Sequence, residues 1–380
     1  MIMNQDRRVL LKNVQLVDVK KNSIQDNVDI LIEGETIAAV GKFPTCICEE
    51  IINCEGLFAV PSLIDMHVHI TFNSMVDGEM SLKNISLNLV QAAQNGVCIV
   101  RDVGMSPQWT IESVKSTLPE YPLPQVYFSG APICVLGGHG SEYGTSIEIS
   151  QMEEWVKSHK EMGYQWIKIM NDPENHSKNF LQKLVLCAHN YDIKVACHTF
   201  RKKGIKLAVD SGCDTIEHVV PIENLNELNC KPYYVPTMYS AWLSCRKEYL
   251  NSISNEAAQY LIEWYELLKG HLSIAVYKGV KILCGTDAGC CPSSFGDIIP
   301  EMQILNMFGM STIEVLQSAT INAARCLNCD NKFGSIEVGK YANLFLVSGN
   351  PLNNLNHLNY RKIIFLSGVK IKDEVSVPWN

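Results

Sequence analysis

A chain of 380 residues exceeds what one hydrophobic core usually spans, so a large domain with a smaller companion is expected. A hydrophobic fraction of 47% and a charged fraction of 19% exclude disordered, collagenous and fibrous classes. The net charge of −8, with basic clusters only at Arg7-Arg8, Lys20-Lys21 and Arg201-Lys202-Lys203, argues against nucleic acid as a partner; no apolar stretch approaches the ~20 residues that span a bilayer.

The first sixty residues read as short strands at 9–11, 14–18, 28–32 and 36–40, with Glu33-Gly34 as a hairpin turn. From there to about residue 332, short apolar runs alternate with longer helical periods, the pattern of βα units on a parallel sheet. Candidate strands fall at 58–60, 97–100, 125–128, 166–169, 194–197, 215–216, 234–236 and 281–284. Helical periods fall at 82–95, 149–162, 178–190 and 255–278. Eight strand candidates predict a (β/α)8 TIM barrel of the α/β class. Strand texture returns at 342–347 and 362–366, and past Ser367-Gly368 at 369–371. Neither terminal segment is large enough to stand alone. They are therefore expected to join in a small β-sandwich domain, 1–60 with 333–380, flanking a barrel over 61–332.

The N-terminus, Met1-Ile2-Met3-Asn4-Gln5-Asp6-Arg7-Arg8, is polar and lacks the apolar core of an export signal. The 15 cysteines are odd in number and sit mostly in apolar runs such as Val97-Cys98-Ile99, so a reducing, cytoplasmic setting is expected. Cys326-Leu327-Asn328-Cys329 has no second CxxC to complete a structural zinc site.

Chemistry concentrates at the ends of the candidate strands. In His67-Val68-His69, alternate side chains of an extended segment share a face, so both imidazoles can chelate one ion. Lys168 has Trp166 and Met170 as its same-face neighbours, an apolar setting in which an unpaired ammonium is costly. Either a buried carboxylate pairs with it, or the neutral amine has taken up CO2 to become a carbamate. His198, His218 and Asp287 each close another candidate strand, and active sites of such barrels lie at the C-terminal strand ends. Imidazole and carboxylate are donors that Zn²⁺ and similar ions prefer. The glycines of Gly137-Gly138-His139-Gly140 let backbone approach a ligand. Tyr234 and Tyr239 could donate hydroxyls to substrate, or could be structural. Arg101 and Asp102 read as an internal pair bracing a strand.

His67-Val68-His69, Lys168, His198, Glu217-His218 and Gly285-Thr286-Asp287-Ala288-Gly289 together resemble the binuclear metal signature of the amidohydrolase superfamily. Gly96-Val97 through Val100-Arg101-Asp102-Val103-Gly104, with Ala319-Thr320-Ile321-Asn322-Ala323-Ala324 and the stretch from Gly334 to Leu344, resembles its imidazolonepropionase-like and prolidase-like (Xaa-Pro dipeptidase-like) subgroups. The resemblance implies two divalent metals, zinc by donor preference. His67, His69 and Asp287 would ligate one, His198 and His218 the other, with carboxylated Lys168 as the bridge. It further implies a metal-bridging hydroxide, with Asp287 shuttling its proton to the leaving nitrogen and His139 polarising the carbonyl or holding a carboxylate.

The implied activity is cleavage of a C–N amide bond in a small peptide-like or N-acyl amino-acid substrate. Ring opening of a cyclic amide, as in imidazolonepropionase or hydantoin-type enzymes, is the alternative. A deaminase fits less well, because such relatives usually lack the bridging lysine, and a metal-free scaffold would not need all six ligands. One departure stands out: dipeptide-cleaving relatives often have a small, Gly-rich segment after the bridging lysine, where this chain has Met170-Asn171-Asp172-Pro173-Glu174-Asn175-His176. The expected partner is the small-molecule substrate, and a homo-oligomer is compatible with the sequence.

Overall fold

Alternating apolar residues carry the first segment into an antiparallel sheet. The computed structural model describes residues 7–43, 48–72, 82–106, 108–116, 118, 121–171, 176–199, 202–218, 232–290 and 292–373. β1 (Arg8–Asp18) is one strand where two were expected; Asn13, at φ 62°, and register shifts after Leu11 and Val14 absorb the break. β2 (Ser23–Glu33) and β3 (Thr36–Gly41) follow as antiparallel neighbours, and β4 (Glu50–Asn53) runs parallel to β1. β5 (Leu57–Pro61) also pairs with β1, so residues 58–60 leave the predicted barrel set for this sheet. A short apolar run does not say which sheet it joins. The strand that takes its place is the next one, carrying His67.

The middle of the chain forms parallel ladders. β6 (Leu63–Val68), β7 (Val97–Asp102) and β8 (Gln125–Phe128) make one sheet. β9 (Trp166–Met170), β10 (Lys194–Thr199), β11 (Thr215–His218) and β12 (Tyr233–Val235) make the second. Around them lie α1 (Leu82–Gln94), α2 (Ile111–Lys115), α3 (Met152–Glu161), α4 (Lys178–Asn190), α5 (Lys202–Ser211), α6 (Met238–Ser244), α7 (Lys247–Leu250), α8 (Asn255–Tyr277), α9 (Ile298–Met307), α10 (Thr312–Ser318) and α11 (Ile321–Cys326). Most strand residues here are buried on both faces, as parallel sheets require.

Single bridges link the sheets. Ile133 pairs with Ile169, Tyr234 with Ile282 and Val68 with Ala288, all parallel. Residues 281–284 are thus an extended segment held by one bridge, its backbone exchanging two 2.8 Å hydrogen bonds with Tyr234, and not the ladder strand expected.

β13 (Leu344–Ser348), β14 (Arg361–Leu366) and β15 (Val369–Asp373) close the chain. β13 pairs antiparallel with β5, so both ends of the chain share one sheet in the order β15-β14-β13-β5-β1-β2-β3, with β4 beside β1. Its own apolar cluster includes Val9, Leu11, Ile30, Ile32, Leu344, Leu346 and Phe365, separate from the larger cluster of the middle region. No helix among the described residues is long and apolar enough to cross a membrane.

Candidate metal centre

β6 ends at Val68, so His67 lies within it and His69 just past it. The 285–289 segment is zipped against this end: Asp287 N–H donates to the His67 carbonyl and His69 N–H to the Ala288 carbonyl, both at 2.8 Å. A Cβ on Gly285 would come within 2.8 Å of the His67 Cβ, so close docking requires glycine there. Nε2 of His67 and of His69 consequently lie 3.3 and 3.2 Å from the same Asp287 Oδ1. His218, at the end of β11 with φ 73°, completes a group with His67 and Asp287 whose donor atoms all fall within 4.8 Å of one another. The His198 ring sits 4.6 Å from that of His218, and His139 stacks on His198 at 4.9 Å. Five of the residues expected as ligands therefore come together from four segments.

Further carboxyls and hydroxyls hold these ligands in place. Glu217 accepts from His67 Nδ1 at 2.7 Å, which leaves Nε2 turned toward Asp287. Arg101 reaches Glu217 at 2.9 and 3.0 Å and stacks over Trp166. The expected Arg101–Asp102 pair is absent: Asp102 accepts from the backbone of Ile70 and Gly104. Burial pushes the Glu217 carboxyl up, but Arg101 and His67 outweigh it and hold it well below the usual range. Asp65, missed in the sequence, accepts from His67 N–H and from Thr286 N–H and Oγ1, tying both ligand segments together. Burial raises its pKa to about 7. Thr237 Oγ1 lies 2.9 Å from His218 Nδ1.

Burial lowers the pKa of His67, His198 and His218, with neighbouring cationic groups adding to it, and so favours the neutral ligating form. Asp287 is pushed up by burial and pulled down further by His67, His69 and His218, and remains ionised. His67 Nε2 is buried with no hydrogen-bond partner among the described residues. Burial pulls the pKa of His69 down, but Cys290 and Asp287 outweigh it and hold it well above the usual imidazole range. Three imidazoles favoured in the neutral form, an ionised carboxylate and the orphaned His67 ring nitrogen form a donor set suited to divalent ions.

Lys168 is 1% exposed. Burial lowers its pKa, partly offset by Glu217 and Asp287, yet no described carboxylate lies within 4 Å of its Nζ, so the expected ion pair is not formed. It faces a cavity of about 590 Å³ shared with His69, His139, His198, His218 and Asp287. Met170 and Asn171, which follow it, line this cavity too, whereas residues 172–175 lie outside the described set. Tyr234 does not line it: fully buried, it donates its hydroxyl to the His218 carbonyl. Tyr239 stacks on Trp242 instead of entering the cavity lining. Tyr143, Tyr249, Tyr260 and Trp264 supply the aromatic contacts, and no local motif singled them out.

Known proteins resemble this chain along most of its length. The family described as the amidohydrolase family matches residues 58–370. A 5-methylthioadenosine/S-adenosylhomocysteine deaminase of Thermoanaerobacter pseudethanolicus is 22% identical over 407 aligned positions, covering 89% of this chain and 85% of the relative. An imidazolonepropionase of Alkaliphilus oremlandii is 22% identical over 385, covering 88% and 90%. Among solved structures, a Xaa-Pro dipeptidase with methionine bound in its active site superposes with a TM-score of 0.86 at 24% identity, covering 96% of this chain and all of that one. The ochratoxinase of A. niger gives 0.79 at 19%, covering 98% and 97%.

Proposed function

The chain belongs to the amidohydrolase family, and on that premise we propose that it hydrolyses an amide C–N bond in a small peptide-like or N-acyl amino-acid substrate. The observation that carries the reading is the meeting of His67 and His69 Nε2 on one Asp287 oxygen, where His69 and Asp287 line one cavity together with His198, His218 and a buried Lys168. His67, His69 and Asp287 would hold one divalent ion, His198 and His218 a second, with zinc favoured by the donors. A carbamate formed from the Lys168 amine and CO2 would supply the shared anion. Such ions polarise a carbonyl and lower the pKa of water toward about 7.

The chain's own groups then divide the work. Asp287, ionised, takes a proton from the attacking water and returns it to the leaving nitrogen as the C–N bond breaks, giving a carboxylic acid, which ionises, and an amine. His139, stacked on His198 at the cavity wall, is within the lining to orient the carbonyl or a terminal carboxylate. Glu217 fixes the ring of His67 and Thr237 that of His218. In architecture we infer a closed (β/α)8 barrel from β6–β12 and residues 281–288, supported by the three linking bridges, with the terminal sheet as a separate small domain.

Metal analysis of protein purified without chelator, combined with a screen of linear N-acyl amino acids, dipeptides and cyclic amides, tests the reading. About two divalent ions per chain and turnover of a linear amide are expected. The imidazolonepropionase match favours a second reading, and turnover confined to cyclic amides would select it. Far less than one ion per chain with no turnover would sink both.

A further inference from the structure

The cavity lining holds two unlike kinds of side chain: the imidazoles, Asp287 and Lys168, and the apolar and aromatic group of Tyr249 on α7 with Tyr260, Leu261 and Trp264 on α8. Along α8, Leu261, Trp264, Leu268, Leu272 and Ala275 recur at three- and four-residue spacing and make one apolar stripe. Leu268, Leu272 and Ala275 are fully buried by the protein itself. Leu261 and Trp264, in the N-terminal part of the same stripe, line the cavity, Trp264 also packing against the core, with Tyr260 beside them at 58% exposure. Among the described lining residues there is no arginine, and no lysine but Lys168. This part of the lining therefore suits a flat, apolar group.

We propose that Tyr260, Leu261 and Trp264 form a subsite for an aromatic side chain, so that the substrates are N-acyl aromatic amino acids. The proposal rests on the amide-hydrolase reading above and narrows it. An aromatic ring placed against Trp264 gains both area burial and ring–ring contact, and a methyl group in its place gains little of either. Discrimination of at least about tenfold between the two is the scale such a pocket delivers.

Two probes with the same amide, N-acetyl-L-phenylalanine and N-acetyl-L-alanine, make the test. Their binding to metal-stripped protein is measured by calorimetry, and their kcat/KM with metal-reconstituted protein. The phenylalanine probe should be favoured at least about tenfold in both. Trp264→Ala should lower that ratio at least about threefold, Tyr260→Ala should lower it too, and Trp264→Phe should retain most of it. Tyr260 is exposed, so its variant remains informative even if Trp264→Ala fails to fold. Equal treatment of the two probes by the parent, a ratio unmoved in both alanine variants, or no measurable binding of either probe would overturn the subsite. Discrimination in binding without turnover would leave the subsite standing and remove the hydrolase reading. Turnover without discrimination would do the reverse.

Discussion

Asp29 in the terminal sheet and Asp287 in the candidate metal centre are both buried carboxylates, yet the two regions use burial differently. Around Asp29 the hydrogen-bond set is closed: Asn13 N–H and Lys42 Nζ meet Oδ1, and Phe43 N–H meets Oδ2. Around the candidate centre the set of His67 stays open: two imidazole nitrogens crowd one Asp287 oxygen, His67 Nε2 has no hydrogen-bond partner among the described residues, and Lys168 is buried nearby with no described carboxylate paired to it. A closed set holds a fold. An open one that converges on a cavity carries an energetic cost which a ligand would relieve, since an unsatisfied buried polar group costs about 1–3 kcal/mol.

The comparison breaks most visibly if the closed region is removed. Deleting residues 341–380 takes away β13–β15, so β5 loses its antiparallel partner and the terminal cluster loses Leu344, Leu346 and Phe365. The shortened protein is expected to aggregate or lose cooperative unfolding in calorimetry, and a monomeric, cooperatively melting product would count against the pairing as a requirement.

Next in size, Asp287→Asn should cost on the order of 10³-fold or more in kcat of metal-reconstituted protein, because an amide oxygen can ligate but cannot shuttle a proton. Metal content should fall less than activity, and a rate within tenfold of the parent removes Asp287 from the mechanism. Lys168→Ala should lose much of the metal and nearly all of the activity. Acetate added with metal should restore part of the rate by occupying the vacated bridge, whereas a purely structural lysine predicts lower stability with normal metal content. Thr237→Val sits between the two regions, since its hydroxyl is satisfied and serves only to orient His218. A tenfold to hundredfold loss of metal affinity is the usual size of such an effect, read by competition with a chelator; unchanged affinity would make Thr237 a bystander.

How much of this could be read in the sequence follows the range of each interaction. That the HxH pair and the residues at strand ends would come together is legible, because two-residue alternation and strand-end position are local properties. Asp65 is not, since its role appears only when Thr286, 221 residues away, folds against it. Arg101 looked like a partner for its neighbour Asp102 but reaches Glu217, 116 residues on, because Trp166 offers its guanidinium a flat face. β5 was assigned to the wrong sheet, as an apolar pentapeptide fits either. The aromatic lining escaped because helical spacing alone does not distinguish a stripe facing a core from one facing a cavity.

The smallest effect separates a histidine that holds the fold from those that face the cavity. His159 on α3 stacks between Trp155 and Tyr164, at 4.6 and 4.3 Å, and its Nε2 lies 3.0 Å from the Trp166 carbonyl. Burial lowers its pKa to about 4, despite hydrogen bonds that raise it. The unfolded chain therefore binds a proton near pH 6.5 that the folded chain refuses until about pH 4, so the unfolded state carries more protons between those values and stability rises with pH across the window. Acidification from pH 7.5 to 5 should cost about 2 kcal/mol through this group alone. Other buried histidines titrate as well, so the measurement is the difference between parent and His159→Phe. The phenyl ring keeps the stack and cannot be protonated, so the unfolding free energy from urea melts should fall by that amount more in the parent than in the variant over the window. Metal content at pH 7.5 should be the same in both, because His159 does not line the cavity. Parallel pH curves for the two proteins would show that burial of His159 has no bearing on acid stability.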